Sequence, residues 1–345
     1  MVLISQIFEF ISSNWLIVAF LAPMSWALVN IIDVYFVEEI YRDEVDGTII
    51  SGIFQILPWI IIFPLFNINI SDYFSINFGY YSSNKMQFSF FMHDSLLYSL
   101  MGGLLFSLVF YFYYRALFRQ NDVSLVEIFN NLSVVIIPFV AYIFFREKLS
   151  FIGYVGMGIT LLGAMMLMGD SIVKKNISFS LLSTMFACAL FLSLSLVFEE
   201  HAYSILNVQG LDNSGFWAGF FFFSLGVFVG SIIFAVVHSR NILPILRKYT
   251  YVFIIAEGIS FLGTLFMQRA LDIGPSASFV VTIETFVPAF VLLYSIIIVC
   301  AFHISKRSEK IGQILPNLYK MQLKKLVPKI LSIVIMGMGV YIFNL

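Results

Sequence analysis

Charge is what this sequence lacks most. Only 11% of its 345 residues are charged and 60% are hydrophobic, whereas roughly 25% of the residues in a soluble domain are charged. A chain of this length cannot bury that much apolar surface inside itself, so a large part of it must face lipid. We therefore expect an integral membrane protein. The net charge of -1 also argues against a nucleic-acid partner, because such a partner needs a basic face.

Cysteine is nearly absent as well. Cys188 and Cys300 are the only two, and both lie inside apolar runs, which excludes a disulfide framework and a cysteine zinc site. The four histidines fall near the ends of apolar runs, which argues against a metal cluster. The motifs HExxH, GxSxG and the P-loop are missing, and no GxGxxG occurs in its proper context. We therefore expect no cofactor and no enzymatic activity.

Long apolar runs dominate what is present. A bilayer-spanning helix needs about 20 mostly apolar residues, and ten stretches qualify: 14–32, 48–66, 95–117, 122–145, 151–169, 179–198, 215–238, 250–271, 276–302 and 326–344. The long connections are residues 67–94, 199–214 and 303–325. The sequence thus predicts an all-α integral membrane protein with ten transmembrane helices.

A polar helical hairpin occurs twice in the chain. The tripeptide Arg-Ala-Leu at Arg115 aligns with the same tripeptide at Arg269, an offset of 154 positions. The same offset places Asn130 on Glu284 without a gap. A polar hairpin repeated in each half indicates two similar halves that enclose a site between them.

The ten predicted spans divide into two halves of five. These are residues 1–169 and residues 170–345, and the second half carries a basic insertion at 303–325. Five spans per half invert one repeat relative to the other, as in many secondary transporters. One side of the membrane receives 15 Lys and Arg residues and the other side four, so the positive-inside rule puts both termini outside. No Lys or Arg precedes Arg42, so we expect the first apolar segment to be retained rather than cleaved as a signal peptide.

Polar side chains within the predicted spans are the candidate site. A charge in the bilayer core costs at least ~2.5–3.5 kcal/mol on insertion scales, so such residues usually face a bundle interior or a wet cavity. Buried carboxyl groups can also exchange protons near neutral pH, which leaves proton coupling open. The candidate substrate-binding residues are Glu284, Glu257, Ser260, Thr264, Gln268, Glu127, Asn130, Asn131, Trp26 and Asn30. The alternative is that these side chains only hydrogen-bond between helices and hold the bundle together.

Helical spacing organises these candidates. Four of them share one helical face at i, i+3, i+7 and i+11: Glu257, Ser260, Thr264 and Gln268. The offset of 154 places an aromatic stripe, with Phe106, Phe110 and Tyr114, in the first half. If both stripes face one cavity, the site suits a solute with an amine or hydroxyls plus an apolar or planar part. Alternatively, Phe106 and Phe110 face lipid.

Several features together resemble a known family. They are ten spans in two five-helix halves, Arg-Ala-Leu closing the third and eighth helices, and Glu-Lys-Leu-Ser at residues 147–150 after the fourth. This pattern is similar to the EamA-type drug/metabolite transporter superfamily over most of the chain. The resemblance implies an inverted-repeat bundle, a central cavity and alternating access, with segments five and ten packed away from the cavity, often at a homodimer contact. Two features depart from the family: the Glu-Lys-Leu-Ser exit has no copy in the second half, and family termini commonly lie in the cytoplasm.

These observations predict a secondary active transporter of a small organic metabolite, with export as the expected direction. The expected partners are a small-molecule substrate, the lipid bilayer and a second copy in a homodimer, and the expected location is the plasma (inner) membrane, as a multi-pass protein. Two alternatives stay open. One is a multispan enzyme acting on a lipid-linked substrate, which would need several convergent His, Asp or Arg residues. The other is a non-transporting sensor or assembly partner.

Overall fold

The computed structural model describes residues 13–66, 68, 73–81, 85–119, 126, 130–172, 178–208, 212–304 and 326–344. Within these ranges the chain forms twelve helices: α1 Trp15–Glu39, α2 Glu44–Ile56, α3 Trp59–Phe66, α4 Asp94–Arg119, α5 Ser133–Phe145, α6 Phe151–Ile172, α7 Phe179–Val208, α8 Asp212–Val237, α9 Leu243–Ile273, α10 Ala277–Glu284, α11 Val287–Ile304 and α12 Leu326–Phe343. The candidate Glu127 lies outside the described residues, and so does the predicted basic insertion from residue 305 onward.

The outer surface of the bundle is apolar. In the described part of the chain, seven helical segments are long and apolar enough to cross a membrane, and three shorter apolar helices accompany them. Large apolar side chains point outward: Phe139 is 66% exposed, Phe151 81% and Val327 79%. Lipid is the solvent in which such a surface is stable. The protein is therefore a multi-pass membrane protein whose membrane part is helical.

All ten predicted segments contain helix, but three of them are interrupted: 48–66, 122–145 and 276–302. The segment 48–66 is split into α2 and α3, because Pro58 lies at the junction and has no N–H to donate. The connection predicted at 199–214 is wrong for its first part. There α7 continues to Val208, and Glu199 is fully buried within it. Packing of this helix end against the bundle outweighs the local drop in hydropathy.

The predicted connection 67–94 contains a β-hairpin. Strand β1, Phe74–Tyr81, pairs antiparallel with β2, Lys85–Met92, in a register that puts Phe74 opposite Met92. Both strands are rich in Phe and Tyr, which favour strands over loops. The ring of Phe74 packs edge-on against Phe222 of α8, with centroids 5.4 Å apart. The hairpin is therefore anchored on the helical bundle.

Two helix breaks occur at equivalent positions of the sequence repeat. One is a turn at Asn131–Leu132 before α5, and the other is a turn at Thr285–Phe286 between α10 and α11. At the first break, the backbone N–H groups of Val135 and Ile136 donate to the carbonyl oxygen of Leu132, at 3.0 and 3.1 Å. At the second, those of Ala289 and Phe290 donate to the carbonyl oxygen of Phe286, at 2.9 and 3.1 Å. The two backbone hydrogen-bond patterns coincide at the same offset of 154 positions. Pro288 disfavours a continuous helix at the second break.

Polar contacts connect helix ends at both ends of the bundle. At one end, Asp43, which follows α1 and caps α2, forms an ion pair with Arg240, which lies between α8 and α9. At the other end, Nδ2 of Asn207 near the end of α7 donates to the backbone oxygen of Asp272 near the end of α9, at 3.0 Å. The end of α1 therefore lies near the start of α9, and the end of α7 lies near the end of α9. Because the start and the end of α9 lie at opposite ends of the bundle, α1 and α7 run in opposite directions.

Helices α6 and α12 pack closely through small residues. A Cβ atom on Gly156 would lie 2.7 Å from the backbone oxygen of Gly339 and 2.7 Å from the backbone nitrogen of Phe343. Backbone atoms cannot move aside, so only glycine fits there. Gly158, on the same helix, has no described atom within 4 Å of its corresponding Cβ position.

We expect Gly156→Val to destabilise the protein, because overpacking of a tight contact costs typically about 1–3 kcal/mol. The melting temperature of the detergent-purified protein should fall by several degrees, and thermal unfolding followed by intrinsic fluorescence measures it. Gly158→Val is the matched control and should leave the melting temperature nearly unchanged. Equal melting of both variants would contradict the α6–α12 contact.

Candidate functional site

A cavity lies at the centre of the bundle, among α1, α4, α7, α9 and the two helix breaks. Its empty volume is about 790 Å³, counted with its open mouth. Residues from both halves of the sequence, within 26–133 and 192–287, contribute to its lining.

Helix α1 presents three polar or aromatic residues to this cavity. Trp26, Asn30 and Asp33 line it at i, i+4 and i+7, which is one face of a helix. Asn30 and Asp33 are each only 3% exposed. The sequence predicts Trp26 and Asn30 as site residues but not Asp33, because the predicted span ends at residue 32. The helix continues to Glu39 and carries Asp33 on the cavity face.

Two tyrosines of α4 hold the α1 polar groups. The hydroxyl of Tyr113 donates to Oδ1 of Asn30 at 2.9 Å and lies 3.3 Å from Oδ2 of Asp33. The hydroxyl of Tyr114 lies 3.4 Å from Oδ1 of Asp33. Among the described residues, no Lys, Arg or His forms an ion pair with Asp33. Hydroxyl groups, rather than a protein cation, thus satisfy this carboxyl group.

The hydrogen bonds continue from the cavity wall to a second carboxyl group. The hydroxyls of Tyr114 and Ser51 are 2.9 Å apart, and Ser51 Oγ is 2.9 Å from Oε1 of Glu257. Glu257 is 4% exposed and is not part of the cavity lining. The expectation that Glu257 faces the cavity is corrected here, because its bond to Ser51 of α2 directs it behind the wall.

Of the other three members of the predicted polar stripe, one lines the cavity and two do not. Ser260 lines the cavity. Thr264 instead accepts a hydrogen bond from Nε2 of Gln55 on α2 at 3.2 Å, and Gln268 accepts one from the hydroxyl of Tyr203 on α7 at 2.9 Å. Both are buried and outside the lining. For Thr264 and Gln268, hydrogen bonding between helices is thus the role seen in the structure.

Aromatic side chains of α4 form another part of the cavity wall. Phe106, Phe110 and Tyr114 line the same cavity as Ser260, so of the two alternatives for this stripe, cavity and lipid, the structure shows the cavity. Phe106 contacts Trp26 edge-on, with centroids 6.2 Å apart and an interplanar angle of 75°. Position 263 is glycine, and a Cβ there would lie 2.8 Å from Nε1 of Trp26. A larger residue at that position would displace the indole.

The two helix breaks contribute the remaining polar groups. Asn130 and Asn131 at the first break and Glu284 at the second all line the cavity. Oδ1 of Asn130 accepts a weak hydrogen bond from Sγ of Cys188 at 3.5 Å. Nδ2 of Asn131 and Nε1 of Trp26 are buried donors with no hydrogen-bond partner among the described residues. Buried donors of this kind are usually satisfied by water or a ligand.

Solved structures share this fold. No family model and no curated protein matches the chain. Among solved structures, 22 chains match. One of them, described as "Crystal structure of protein", has a TM-score of 0.59 at 12% identity, over 96% of this chain and 94% of that chain. At this identity the similarity supports the fold alone.

Ser260→Cys, in a background with Cys188 and Cys300 replaced by alanine, should react with water-soluble methanethiosulfonates. The ratio of the reaction rate with the positively charged ethylammonium reagent to that with the negatively charged ethylsulfonate reagent should be higher than for a free thiol. The reason is that the described part of the lining carries acidic and no basic side chains. Ser224→Cys is the matched control: Ser224 is fully buried, lies outside the lining and should stay unreactive. Equal labelling of both positions, or preference for the anionic reagent, would contradict this description of the cavity.

Proposed function

We propose that the protein is a secondary active transporter of small organic cations that carry an apolar or aromatic part. The observation that carries the proposal is the composition of the cavity. Its described lining contains two carboxyl groups, Asp33 and Glu284, and an aromatic wall, but no Lys, Arg or His. Such a lining attracts cations and repels anions.

The interaction energies of a cation with a carboxylate and with an aromatic ring suggest separate roles for the carboxyl groups and the aromatic side chains of the cavity. A cation about 4 Å from a carboxylate gains about 4 kcal/mol at an effective dielectric constant of 20. A cation over an aromatic ring gains about 0.5–2 kcal/mol. The carboxyl groups therefore select the charge of the solute, and the aromatic wall accommodates its apolar part. The unpaired donors on Trp26 and Asn131 can additionally bind an oxygen atom of the solute.

The internal symmetry supports a transport mechanism. The helix breaks at Asn131–Leu132 and Thr285–Phe286 share one hydrogen-bond pattern at the repeat offset, and α1 and α7 run in opposite directions. Broken helices around a central site and inverted repeats are recurrent features of secondary transporters. Our proposal therefore includes ten spans in two inverted halves, residues 1–169 and 170–345, that expose the cavity alternately.

We further propose that the protein belongs to the drug/metabolite transporter superfamily, lies in the plasma membrane and exports its substrate in exchange for protons. Protons and organic cations compete for the same carboxyl groups, so one must leave when the other binds. That competition is the physical basis of exchange.

Purified protein in sealed vesicles with an acidic interior should accumulate phenyltrimethylammonium, which is permanently charged and does not cross bilayers freely. Benzenesulfonate, an anion of similar size, should not accumulate. Glu284→Gln should lower the uptake rate at least about tenfold, because the loss of a desolvated charge partner costs about 2–5 kcal/mol. Glu39→Gln is the matched control, since Glu39 is exposed at the end of α1.

A proton ionophore should abolish the accumulation. Uptake that equals that of protein-free vesicles, or equal uptake of the cation and the anion, would contradict the proposed function.

A further inference from the structure

The hydrogen-bonded chain from Asp33 to Glu257 has a specific proton requirement. Its four groups are separated by 3.4 Å from Asp33 to Tyr114, 2.9 Å from Tyr114 to Ser51 and 2.9 Å from Ser51 to Glu257. These are three hydrogen bonds, and each needs one proton. A tyrosine or serine hydroxyl supplies one proton and an ionised carboxylate supplies none. The third proton must therefore come from Asp33 or Glu257.

Two arrangements satisfy all three bonds. In one, Asp33 is protonated and donates to Tyr114, Tyr114 donates to Ser51, and Ser51 donates to the carboxylate of Glu257. In the other, every bond is reversed and Glu257 is the protonated acid. If neither acid were protonated, one contact would set two oxygen lone pairs against each other in a buried site.

The geometry points to a proton relay in which Tyr114 and Ser51 pass one proton between Asp33 in the cavity wall and Glu257 behind it. Three O–H bonds break and three form, and the net result is one proton moved and one negative charge moved in the opposite direction. The proton stays within the bundle during this step. Its use in transport rests on the proposed function, whereas the relay itself does not.

The surroundings favour one shared proton over two carboxylates. The titratable groups that act on Glu257 are Asp33 from α1, Tyr41 just after α1 and Tyr114 from α4. The neighbouring helix α2 offers Ser51, and its Asp46 is paired with Arg42.

Three further acids lie on other elements. Glu284 shares the cavity with Asp33, and Glu199 and Glu200 lie near the end of α7, which also contacts α9. In the described part of the chain, no cation pairs with Asp33 or Glu257. If Asp33 and Glu257 were both ionised, the bundle would therefore contain two buried negative charges without a described cation partner.

Infrared spectroscopy tests the relay without a ligand, because a protonated carboxylic acid has its own C=O stretching band. Asp33→Asn and Glu257→Gln each place an amide N–H donor at one end of the chain, which supplies the third proton. We therefore expect the band of the shared acid to vanish in either single variant. If Asp33 and Glu257 were instead protonated independently, each substitution would remove only the part of the C=O band that belongs to the replaced acid. A C=O band of the other acid that remains in either variant would therefore overturn the relay. Ser224→Ala is the matched control and should keep the band, because the buried hydroxyl of Ser224 donates to the backbone oxygen of Phe220 within α8 and takes no part in the chain.

Isotope labelling covers the case in which Asp33→Asn fails to fold. In protein labelled with ¹³C at the aspartate carboxyl carbon, part of the acid band should shift, and that shifted part should vanish in Glu257→Gln. A shifted part that persists in Glu257→Gln, or that is absent from the unsubstituted protein, would overturn the relay.

Adding phenyltrimethylammonium to the labelled protein then separates the relay from the proposed function. The cation should lower the aspartate component and raise the glutamate component by the same amount. If the ligand-free bands behave as expected but the cation changes neither, the relay stands and the proposed substrate class is wrong.

Discussion

A carboxyl group inside a membrane bundle must be held by a cation or by hydrogen-bond donors, since neither lipid nor packed apolar side chains can replace water around it. Asp33 has hydroxyl donors and no described cation partner. This requirement brings α4 against α1 through Tyr113 and Tyr114. Through Ser51 and Glu257 it connects the same site to α2 and α9. One buried acid thus depends on four helices, and the cavity forms where they meet.

The helix breaks are the second structural condition for the cavity. A continuous helix satisfies its own backbone and presents only side chains, whereas a break places a polar residue at the centre of the bundle. Asn130 precedes one break and Glu284 is the last residue before the other. The breaks therefore bring the residues of the repeated hairpin to one cavity, together with the acid and aromatics of α1 and α4. Its amphipathic character follows from this combination.

The sequence predicted much of the membrane architecture, because hydropathy and segment length decide which stretches become lipid-facing helices. It also predicted Trp26, Asn30, Asn130, Asn131, Ser260 and Glu284 as site residues, all of which line the cavity. It missed Asp33, since a hydropathy window ends where polar residues begin, although the helix continues. It also could not assign Ser51, since a serine in an apolar segment shows its role only through its tertiary partner. The hairpin at β1 and β2 was missed although the start of β1, Phe-Ser-Ile-Asn-Phe, alternates apolar and polar residues, which is the pattern of a strand.

The proposed function requires that the cavity bind an organic cation, with Asp33 as a charge partner. Equilibrium dialysis of phenyltrimethylammonium and benzenesulfonate against the detergent-purified protein measures this binding. The cation should bind saturably and the anion should not, and the affinity for the cation should be roughly 30-fold or more lower in Asp33→Asn, as expected for the loss of a buried charge partner. Equal affinities for the two ions, or an affinity for the cation that Asp33→Asn leaves unchanged, would contradict it.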